Sequence, residues 1–413
     1  MRSDWNLRGL SVIAFAHGIS DFFAGTVPFA IFLVVSRSGL SPVYQGALVF
    51  LWYLTSSIVQ PFFGAYSDRH GRWWFLPSAL LVTMTSLSIA AAVSSLWLLA
   101  FCIVLGGLGS AVLHPEAGKY SAMLSGSRRA GGISIFQVGG QIGFAFGPVV
   151  IALLYARFGL GGSLWLLIPG TIAIASVFAM MRQVDRSAVT LHGAAHAKAV
   201  PSGPPDRFGV SLLVGSTALR HFTSAAFMTY LPNLLHDRGV SLGTSGLIVT
   251  SFLLVSIFGL MAGGAHSDSF GAERISVVAL CAAVPFLFGF FILGGPMAIG
   301  LLLLGNALLS VQNAPAVTIV QAMLPKNLGM ALGLMNGVAF GLGSGLVAVL
   351  GIVVARASAA TALEAVSATP LLAALSYVLV SGRVPRSQPS GEAARSERPV
   401  RIEPLLEAAH RSE

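Results

Sequence analysis

Few ionisable side chains fall inside the long apolar stretches of this sequence, and those few are the groups that could do chemistry. His17 and Asp21 are four residues apart, a spacing that places both on one face of a helix. Arg220 and His221 lie in the second half of the chain, with His221 200 residues after Asp21. An ionisable group in the hydrocarbon core of a membrane is costly unless it is paired or hydrated. These four residues are therefore candidates for function.

A carboxylate beside an imidazole can gain and lose a proton as its surroundings alternate between wet and dry. We predict that Asp21 carries a proton and that His17 assists it. Arg220 is always charged, and we expect it to bind an anionic group or to release Asp21 when substrate competes. At about 1.5 Å per helical residue, Asp21 and Arg220 both lie near mid-depth and face one another if their helices line a cavity. The alternative is a static pair of Asp21 with Arg220 or His221 that only fixes helix packing.

A second group of ionisable residues lies in the inner third of the predicted fourth span. His114 and Glu116 could provide a second protonation site. Equally, Glu116 and Lys119 are three residues apart and could form a structural pair near the membrane interface.

Amide side chains that could contact a substrate occur in the apolar stretches of both halves. Each offers hydrogen-bond donors and acceptors. Between helices the same groups would stabilise packing by about 1 kcal/mol or less. Beside Arg220 and His221, the predicted substrate contacts are Gln137, Gln141, Asn306, Gln312, Asn313 and Asn336.

Composition determines which elements must position these residues. Of 413 residues, 9% are charged and 55% are hydrophobic, whereas a soluble domain would carry about 25% charged residues. About 20 helical residues cross the hydrocarbon core. We therefore predict an all-α integral membrane protein with twelve transmembrane helices, at 9–35, 44–66, 73–93, 96–120, 131–155, 163–181, 209–234, 244–265, 274–294, 297–320, 328–354 and 359–381.

The predicted spans divide into two pseudo-symmetric six-helix bundles, at residues 1–181 and 209–381. Between them, residues 182–208 contain prolines and charges and are predicted to form a mobile cytoplasmic linker. Residues 382–413 are polar and predicted to be a disordered cytoplasmic tail.

The net charge of +9 would suggest nucleic acid as a partner in a soluble protein, but the positions of the charges argue otherwise. Of the 24 Lys and Arg residues, only four fall on one side of the predicted membrane, and Arg220 lies within a helix. This asymmetry predicts a multi-pass protein of the cytoplasmic membrane with both termini in the cytoplasm, lipid around it and no nucleic-acid partner. The four exceptions are Arg37, Arg157, Arg238 and Arg356.

The two halves repeat at an offset of 200 residues. Gly46 recurs as Gly246 and Pro115 as Pro315, and the segment from Gly64 to Asp68 recurs as Gly264 to Asp268. An even number of spans in each repeat gives both halves the same orientation, related by an axis along the membrane normal. Such a pair of bundles encloses a cavity that rocking exposes to each side in turn.

Motifs for other chemistries do not occur in the sequence. There is no Gly-x-Ser-x-Gly elbow, no phosphate-binding P-loop and no metal-ligand spacing. We therefore expect no enzyme activity, no cofactor and no metal. Cys102 and Cys281 are interpreted as packed thiols.

The most specific local pattern follows the second span and reads Gly64-Ala-Tyr-Ser-Asp68-Arg69-His70-Gly71-Arg72. Gly71 permits a tight turn, while Asp68 can accept hydrogen bonds at a helix N-terminus and Arg69 and Arg72 can pair with carboxylates. We predict that this group latches the cytoplasmic side in one state, with Gly64 allowing close helix contact. The alternative is an ordinary charged turn. The second copy, with Asp268, Gly271 and Arg274, lacks the arginine beside its aspartate and should latch more weakly.

The pattern from Gly64 to Arg72 resembles the signature of the Major Facilitator Superfamily. Further segments resemble its fosmidomycin-resistance branch, and the similarity covers roughly residues 8–355. One position departs, because Ala322 stands where that branch often has an acid, so coupling through the tenth span is not implied. The segments are His114-Pro-Glu116, Ser134-Ile-Phe-Gln137-Val-Gly-Gly140-Gln141, Gly147-Pro148, Gln321-Ala-Met-Leu-Pro325 and Ala339-Phe-Gly-Leu-Gly343.

This resemblance implies an exporter of antibiotics or other small toxic molecules in the cytoplasmic membrane, driven by the proton gradient as an antiporter. Together with the buried charges, it predicts proton-coupled efflux of a small molecule by alternating access, performed by a monomer. The alternative is a proton-coupled uptake symporter for an organic anion or another small metabolite, since the same proton chemistry runs in either direction.

Overall fold

The computed structural model describes residues 5–70, 72–126, 129–192, 206–324, 330–331 and 333–380. Helices account for nearly all of these residues, and none of them lies in a strand. The all-α prediction is confirmed.

The described residues of the first half form seven α-helices. A π-helical segment, Leu54–Ile58, joins α2 to α3, and a 3₁₀ turn, Leu160–Leu166, precedes α7. The helices are α1 (Leu7–Arg37), α2 (Pro42–Tyr53), α3 (Gln60–His70), α4 (Phe75–Ala90), α5 (Leu96–Leu124), α6 (Arg129–Phe158) and α7 (Leu167–His192).

In the second half, the described ranges contain eight α-helices. A second π-helical segment, Gly333–Val338, leads into α13. The helices are α8 (Arg207–Asp237), α9 (Leu242–Phe270), α10 (Ala272–Ile292), α11 (Gly295–Val311), α12 (Asn313–Met323), α13 (Ala339–Arg356), α14 (Ala359–Val366) and α15 (Thr369–Val380).

Capping residues repeat along with the helices. Asn6 Oδ1 accepts a hydrogen bond from Gly9 N at 2.9 Å, and Asp206 Oδ1 accepts one from Gly209 N at 3.0 Å. Ser41 and Ser241 cap α2 and α9 in the same way. Each cap satisfies a backbone N–H that has no partner within its helix. The offset of 200 residues thus holds for the starts of helices as well as for the motifs.

Ten stretches of the described chain are long and apolar enough to cross a membrane. Helix α4 is apolar but shorter, and α8 has 31 residues without comparable apolarity. Arg220 and His221 lie in the middle of α8, which accounts for the difference. The chain is a multi-pass membrane protein, and the count of twelve spans stays a prediction.

Three predicted spans are interrupted where a proline follows. The second changes to the π-helical segment before Pro61, the tenth breaks at Gln312 before Pro315, and the twelfth breaks before Pro370. Proline has no N–H to donate and its ring crowds the preceding turn. In the second span, Gln60 Nε2 donates to the Ser56 carbonyl at 2.7 Å, within the turn that precedes Pro61.

The predicted linker begins too early. Helix α7 continues to His192, eleven residues past the predicted end of the sixth span. Residues 182–192 contain neither proline nor glycine, so nothing in them ends the helix at the membrane surface. Residues 193–205 and the predicted tail at 382–413 lie outside the described residues.

The two cysteines differ in their surroundings. Cys102 is buried, as predicted, but Cys281 is exposed on the apolar helix α10, so its interpretation as a packed thiol is wrong. Neither forms a disulfide.

Helices α1 and α6 make the closest contact in the first half. Gly18 and Gly25 of α1 face Gly139, Gly143 and Gly147 of α6. A Cβ added to Gly18 would lie 2.9 Å from the Gly139 carbonyl oxygen, and one on Gly143 would collide with the Gly18 carbonyl oxygen. Small residues at such spacing let membrane helices approach until their backbones touch. The glycines of α6 thus allow its backbone to touch that of α1.

The repeated glycines Gly46 and Gly246 join the two halves. A Cβ on Gly46 of α2 would meet the Val347 carbonyl oxygen of α13 at 2.8 Å. One on Gly246 of α9 would meet the Pro148 carbonyl oxygen of α6 at 3.0 Å. The two contacts are equivalent under the repeat, as expected for like-oriented halves.

Polar contacts accompany these glycines. Gln45 Nε2 of α2 donates to the Thr229 carbonyl of α8 at 2.5 Å, and Thr250 Oγ1 of α9 accepts from Val149 N at 3.2 Å. Both lie near the helix ends that the charge distribution predicts to be extracellular. Phe32 and His236, whose rings are 6.2 Å apart, bring the outer ends of α1 and α8 together. The bundle is therefore closed at its predicted outer end.

Replacing Gly143 with alanine should destabilise the fold, because the new methyl group must push α6 away from the Gly18 backbone. We expect a loss of about 1–3 kcal/mol, the usual cost of overfilling a packed site, measured as a lower unfolding temperature of the purified protein in detergent. Gly118→Ala is the matched control, since a Cβ at Gly118 meets nothing within 4 Å. Equal unfolding temperatures for the two variants would contradict the proposed contact.

Replacing Gly46 with leucine should hold the predicted outer end open. In a background without Cys102 and Cys281, a cysteine at Thr229, whose side chain is buried, should react several-fold faster with an impermeant maleimide added outside cells that carry Gly46→Leu. Gly215→Leu is the control, because a Cβ there has open space. Unchanged labelling would show that Gly46 does not close this end.

Candidate functional site

Three ionisable side chains from two helices of the first half meet in the structure. Asp21 Oδ2 lies 3.1 Å from His17 Nε2, one turn away on α1, and Asp21 Oδ1 lies 3.2 Å from His114 Nε2 on α5. The pairing of His17 with Asp21 is confirmed. The structure adds His114, which the sequence placed in a separate second site. We call His17, Asp21 and His114 the carboxylate cluster.

The other ring nitrogens constrain where protons can be in this cluster. His17 Nδ1 lies 2.8 Å from the Phe136 carbonyl oxygen, and His114 Nδ1 lies 2.8 Å from the Ser110 carbonyl oxygen. A carbonyl oxygen only accepts hydrogen bonds, so each Nδ1 carries a proton. Each Nε2 faces a carboxylate oxygen, and a hydrogen bond there needs one further proton. The cluster therefore has room for two exchangeable protons shared among three groups.

Helix α6 shapes the space around the cluster. The Phe136 ring stacks on the His17 ring with centroids 3.9 Å apart, and Gly140 lies one turn further along α6. A Cβ on Gly140 would stand 2.6 Å from His17 Nδ1 and 2.7 Å from Asp21 Oδ2. Only glycine at this position leaves room for both side chains.

Donor atoms of the cluster lie within 4.8 Å of one another, close enough to reach a single metal ion. However, each imidazole pairs with a different oxygen of the carboxylate at hydrogen-bond distance. This arrangement suits hydrogen bonds between the two imidazoles and the carboxylate. The expectation that the protein needs no metal stays a prediction.

Arg220 and His221 lie on α8 in the second half, and the structure does not join them to Asp21 by an ion pair. The predicted alternative of a static Asp21 pair with Arg220 or His221 is therefore wrong. Equivalent positions under the repeat share a depth but need not touch. Arg220 is 4% exposed, and the described residues give its guanidinium neither a hydrogen bond nor an ion pair.

His221 occupies an aromatic contact between the two halves. Its ring stacks on Phe340 with centroids 4.1 Å apart and meets the edge of Tyr53 of α2 at 5.1 Å. Its Nε2 lies 3.3 Å from Ser344 Oγ. Tyr53 is in electrostatic range of both Asp21 and Arg220. This tyrosine was not among the predicted site residues, and its position between the halves was not visible in the sequence pattern.

The predicted substrate amides fall into two groups. Asn306 Nδ2 donates to the Phe252 carbonyl at 2.5 Å, and Gln312 Nε2 donates to Tyr377 OH at 3.0 Å, so both tie helices together. Asn313 is half-buried and Asn336 is exposed in the second π-helical segment.

Gln137 and Gln141 lie on a polar strip of α6. Gln137 is exposed and Gln141 is half-buried. Val138 and Ile142, each one residue further on, belong to a separate exposed apolar strip. One residue along a helix turns the side chain by about 100°, so α6 has one face suited to lipid and another suited to a hydrated space.

Glu116 and Lys119 of α5 were predicted to lie near the inner side of the membrane. Glu116 is buried, and Lys119 Nζ contacts the Ser67 carbonyl oxygen at 3.5 Å. A hydrogen bond that sequence reasoning missed joins Tyr120 OH of α5 to Asp185 Oδ1 of α7 at 2.7 Å. Neither residue repeats in a recognisable motif, so no pattern marked them.

The latch residues are only partly described. Gly64 approaches Pro115, with an added Cβ at 3.4 Å from the proline Cβ, and Gly271 has φ +85°, which favours glycine. Arg72 and Arg274 are exposed. Gly71 and the side chains of Asp68, Arg69 and Asp268 lie outside the described part of the chain, so the latch stays a prediction.

The structure is a helical membrane bundle of two like-oriented halves, closed at one end around buried ionisable groups. This arrangement is typical of secondary transporters. The chain belongs to the Major Facilitator Superfamily, whose sequence model matches residues 13–212 and 213–413. This family consists of transporters, which bind small-molecule substrates and are not enzymes.

Among curated relatives, the chain is similar to the fosmidomycin resistance protein of Escherichia coli (strain K12), with 27% identity over 91% of this chain and 93% of that one. It is also similar to the uncharacterized MFS-type transporter YfnC of Bacillus subtilis (strain 168), with 27% identity over 90% and 92% of the two chains. The predicted relation to the fosmidomycin-resistance branch is confirmed.

Two solved structures share the fold. A bacterial homolog of the human lysosomal transporter Spinster, in an inward-facing and occupied conformation, has a TM-score of 0.66 at 16% identity and covers 94% of this chain and 100% of that one. The nucleoside transporter NupG has a TM-score of 0.63 at 14% identity and covers 92% of this chain and 100% of that one.

Replacing Arg220 with methionine should stabilise the protein, because a buried cation without an ion pair is removed. We expect a gain of about 1–4 kcal/mol, the scale found when buried charges give way to apolar side chains, measured as a higher unfolding temperature in detergent. Arg207→Met is the matched control, because Arg207 is exposed at the start of the same helix. A lower unfolding temperature for Arg220→Met would show that the guanidinium has stabilising partners.

Proposed function

We propose that this transporter exports a small anionic molecule from the cytoplasm across the inner membrane in exchange for protons, by alternating access. The observation that carries the proposal is the carboxylate cluster, in which two imidazoles hold one carboxylate through exchangeable protons. Such a group can change its proton content when its surroundings change from wet to dry.

The partial exposure of the carboxylate cluster supports proton exchange with one side of the membrane. The bundle is closed at the predicted outer end, yet the side chains of Asp21 and His114 are 17% and 26% exposed. In the proposed mechanism, water reaches them from the predicted inner end. In the opposite state the same groups would face the outside, which is what a proton-driven cycle needs.

Arg220 supports an anionic substrate. A buried guanidinium without a hydrogen bond or ion pair from the described residues is poised to gain from an anion, and its planar fork suits a carboxylate or phosphonate. The relative named for fosmidomycin resistance makes fosmidomycin, a phosphonate, the first compound to test. Uptake by proton symport is the second candidate function, because the cluster would also serve transport in that direction.

Asp21→Asn should abolish gradient-driven transport, since the amide cannot exchange a proton. Everted membrane vesicles with an acidic interior should accumulate labelled fosmidomycin when they contain the native protein, and should fall to the level of vesicles without the protein when they contain Asp21→Asn. Asp237→Asn is the matched control, because Asp237 is exposed at the end of α8.

Three outcomes separate the candidates. Accumulation only in right-side-out vesicles, with the acidic side outside, would favour uptake. Accumulation that is unchanged in Asp21→Asn would remove the cluster from coupling. Accumulation of other carboxylates or phosphonates but not of fosmidomycin would keep the mechanism and change the substrate.

A further inference from the structure

We propose that the two histidines of the carboxylate cluster have different roles. His114 is the residue through which the cluster exchanges protons with the cavity, and His17 is a positioning residue that holds the Asp21 carboxylate in place. This inference rests on the proposed function, since it assigns roles within the proton-binding site.

Exposure separates the two imidazoles. The side chain of His17 is 4% exposed, whereas that of His114 is 26% exposed. His114 is therefore the imidazole of the cluster that solvent can reach. A proton taken up by His114 can pass to Asp21 Oδ1 across the 3.2 Å contact, which leaves His114 neutral and ready to take another.

Three contacts with α6 hold His17 in place. Its Nδ1 donates to the Phe136 carbonyl of α6, its ring stacks on the Phe136 ring at an interplanar angle of 12°, and Gly140 lies against it where any side chain would collide. All three contacts come from α6, which is joined closely to α1 by glycines. His17 therefore cannot turn to reach water without a shift of the whole helix pair.

His114 is held more loosely. Its Nδ1 contacts only its own helix, at the Ser110 carbonyl one turn earlier and at Ser110 Oγ, 3.2 Å away. The ring meets His17 edge-on at 5.1 Å, and Pro115 follows directly in α5. An imidazole held in this way can exchange its proton with cavity water while His17 keeps the carboxylate oriented.

Other charged groups surround the cluster and will influence its titration. On α5, Glu116 is buried two residues from His114, and on α2, Tyr53 is in electrostatic range of Asp21. On α8, Arg220 is in electrostatic range of the same tyrosine. Tyr53 acts on the carboxylate that both imidazoles contact, so the pH dependence of transport alone does not assign a role to either histidine.

Chemical labelling tests the assignment without any substrate. Diethyl pyrocarbonate acylates neutral, accessible imidazoles, and peptide mass spectrometry locates the product. We expect His114 to react in the native protein, more slowly as the pH falls, and His17 to stay unlabelled. His70 and His266, both exposed, are the reactive controls. Labelling of His17 as fast as His114 would overturn the proposal.

Gly140→Ala provides a second labelling experiment. The added methyl group should displace the His17 ring from α6 and make His17 reactive toward the same reagent. If His17 stays unlabelled in this variant while the protein remains folded, Gly140 and α6 do not hold it. Because labelling needs no transport, its result stays interpretable even if fosmidomycin export fails.

A matched pair of glutamine variants then tests the roles in transport. Glutamine keeps an N–H donor near the Nε2 position but binds no proton in this pH range. His114→Gln should reduce gradient-driven fosmidomycin accumulation on the order of 100-fold, the scale seen when a positioned proton-transfer group is lost. His17→Gln should reduce it less than tenfold and should keep its dependence on the imposed pH gradient. Equal losses in both variants, or a larger loss in His17→Gln, would overturn the assignment.

Discussion

The Asp21 carboxylate, held between two imidazoles inside the bilayer, is the interaction on which the rest of the site depends. A carboxylate inside an apolar bundle is costly unless nearby groups compensate its charge. Two imidazoles can do so without becoming permanent cations, because each gains or loses its proton along with the carboxylate. This requirement brings α1, α5 and α6 together at one point.

The glycines of α1 and α6 follow from the same requirement. His17 can reach the Phe136 carbonyl only because the two backbones touch at Gly18 and Gly143, and the carboxylate fits only because Gly140 has no side chain. The contact that stabilises the first half and the contact that shapes the cluster are thus parts of one helix pair. A change in either affects both folding and chemistry.

Local spacing predicted some of this site and missed the rest. His17 and Asp21 are one turn apart, so their contact is a property of a single helix and could be predicted. His114 joins them from α5, and no periodicity within either helix records which faces of α1 and α5 meet. Arg220 was expected opposite Asp21 because the repeat gives the two halves equal depth. Depth does not determine which side chains touch, and the lateral packing of α1 and α8 leaves that arginine apart.

The fold likewise has features that depend on a single helix and features that depend on how helices pack side by side. Apolar length predicted the ten stretches that are long and apolar enough to cross a membrane. Breaks precede Pro61, Pro315 and Pro370, whereas Pro28 and Pro148 lie inside continuous helices, so proline alone could not have located the breaks. The continuation of α7 to His192 reflects the lack of any helix-ending residue after the membrane boundary. The contact of Gln45 with the Thr229 carbonyl depends on how the two halves pack against each other. The sequence repeat indicated only the neighbouring residue, Gly46.

The residues of the carboxylate cluster all come from the first half, whereas Arg220 and His221 come from the second. The equivalents of His17, Asp21 and His114 under the repeat are Thr217, His221 and Ala314. Gly46 and Gly246 make equivalent helix contacts in the two halves, whereas the ionisable residues at equivalent positions differ. In the proposed mechanism, the residues that bind protons and the arginine that binds substrate are therefore encoded in different halves of the chain. Under this proposal, substitutions around Arg220 would change which anion is bound without altering any residue of the carboxylate cluster.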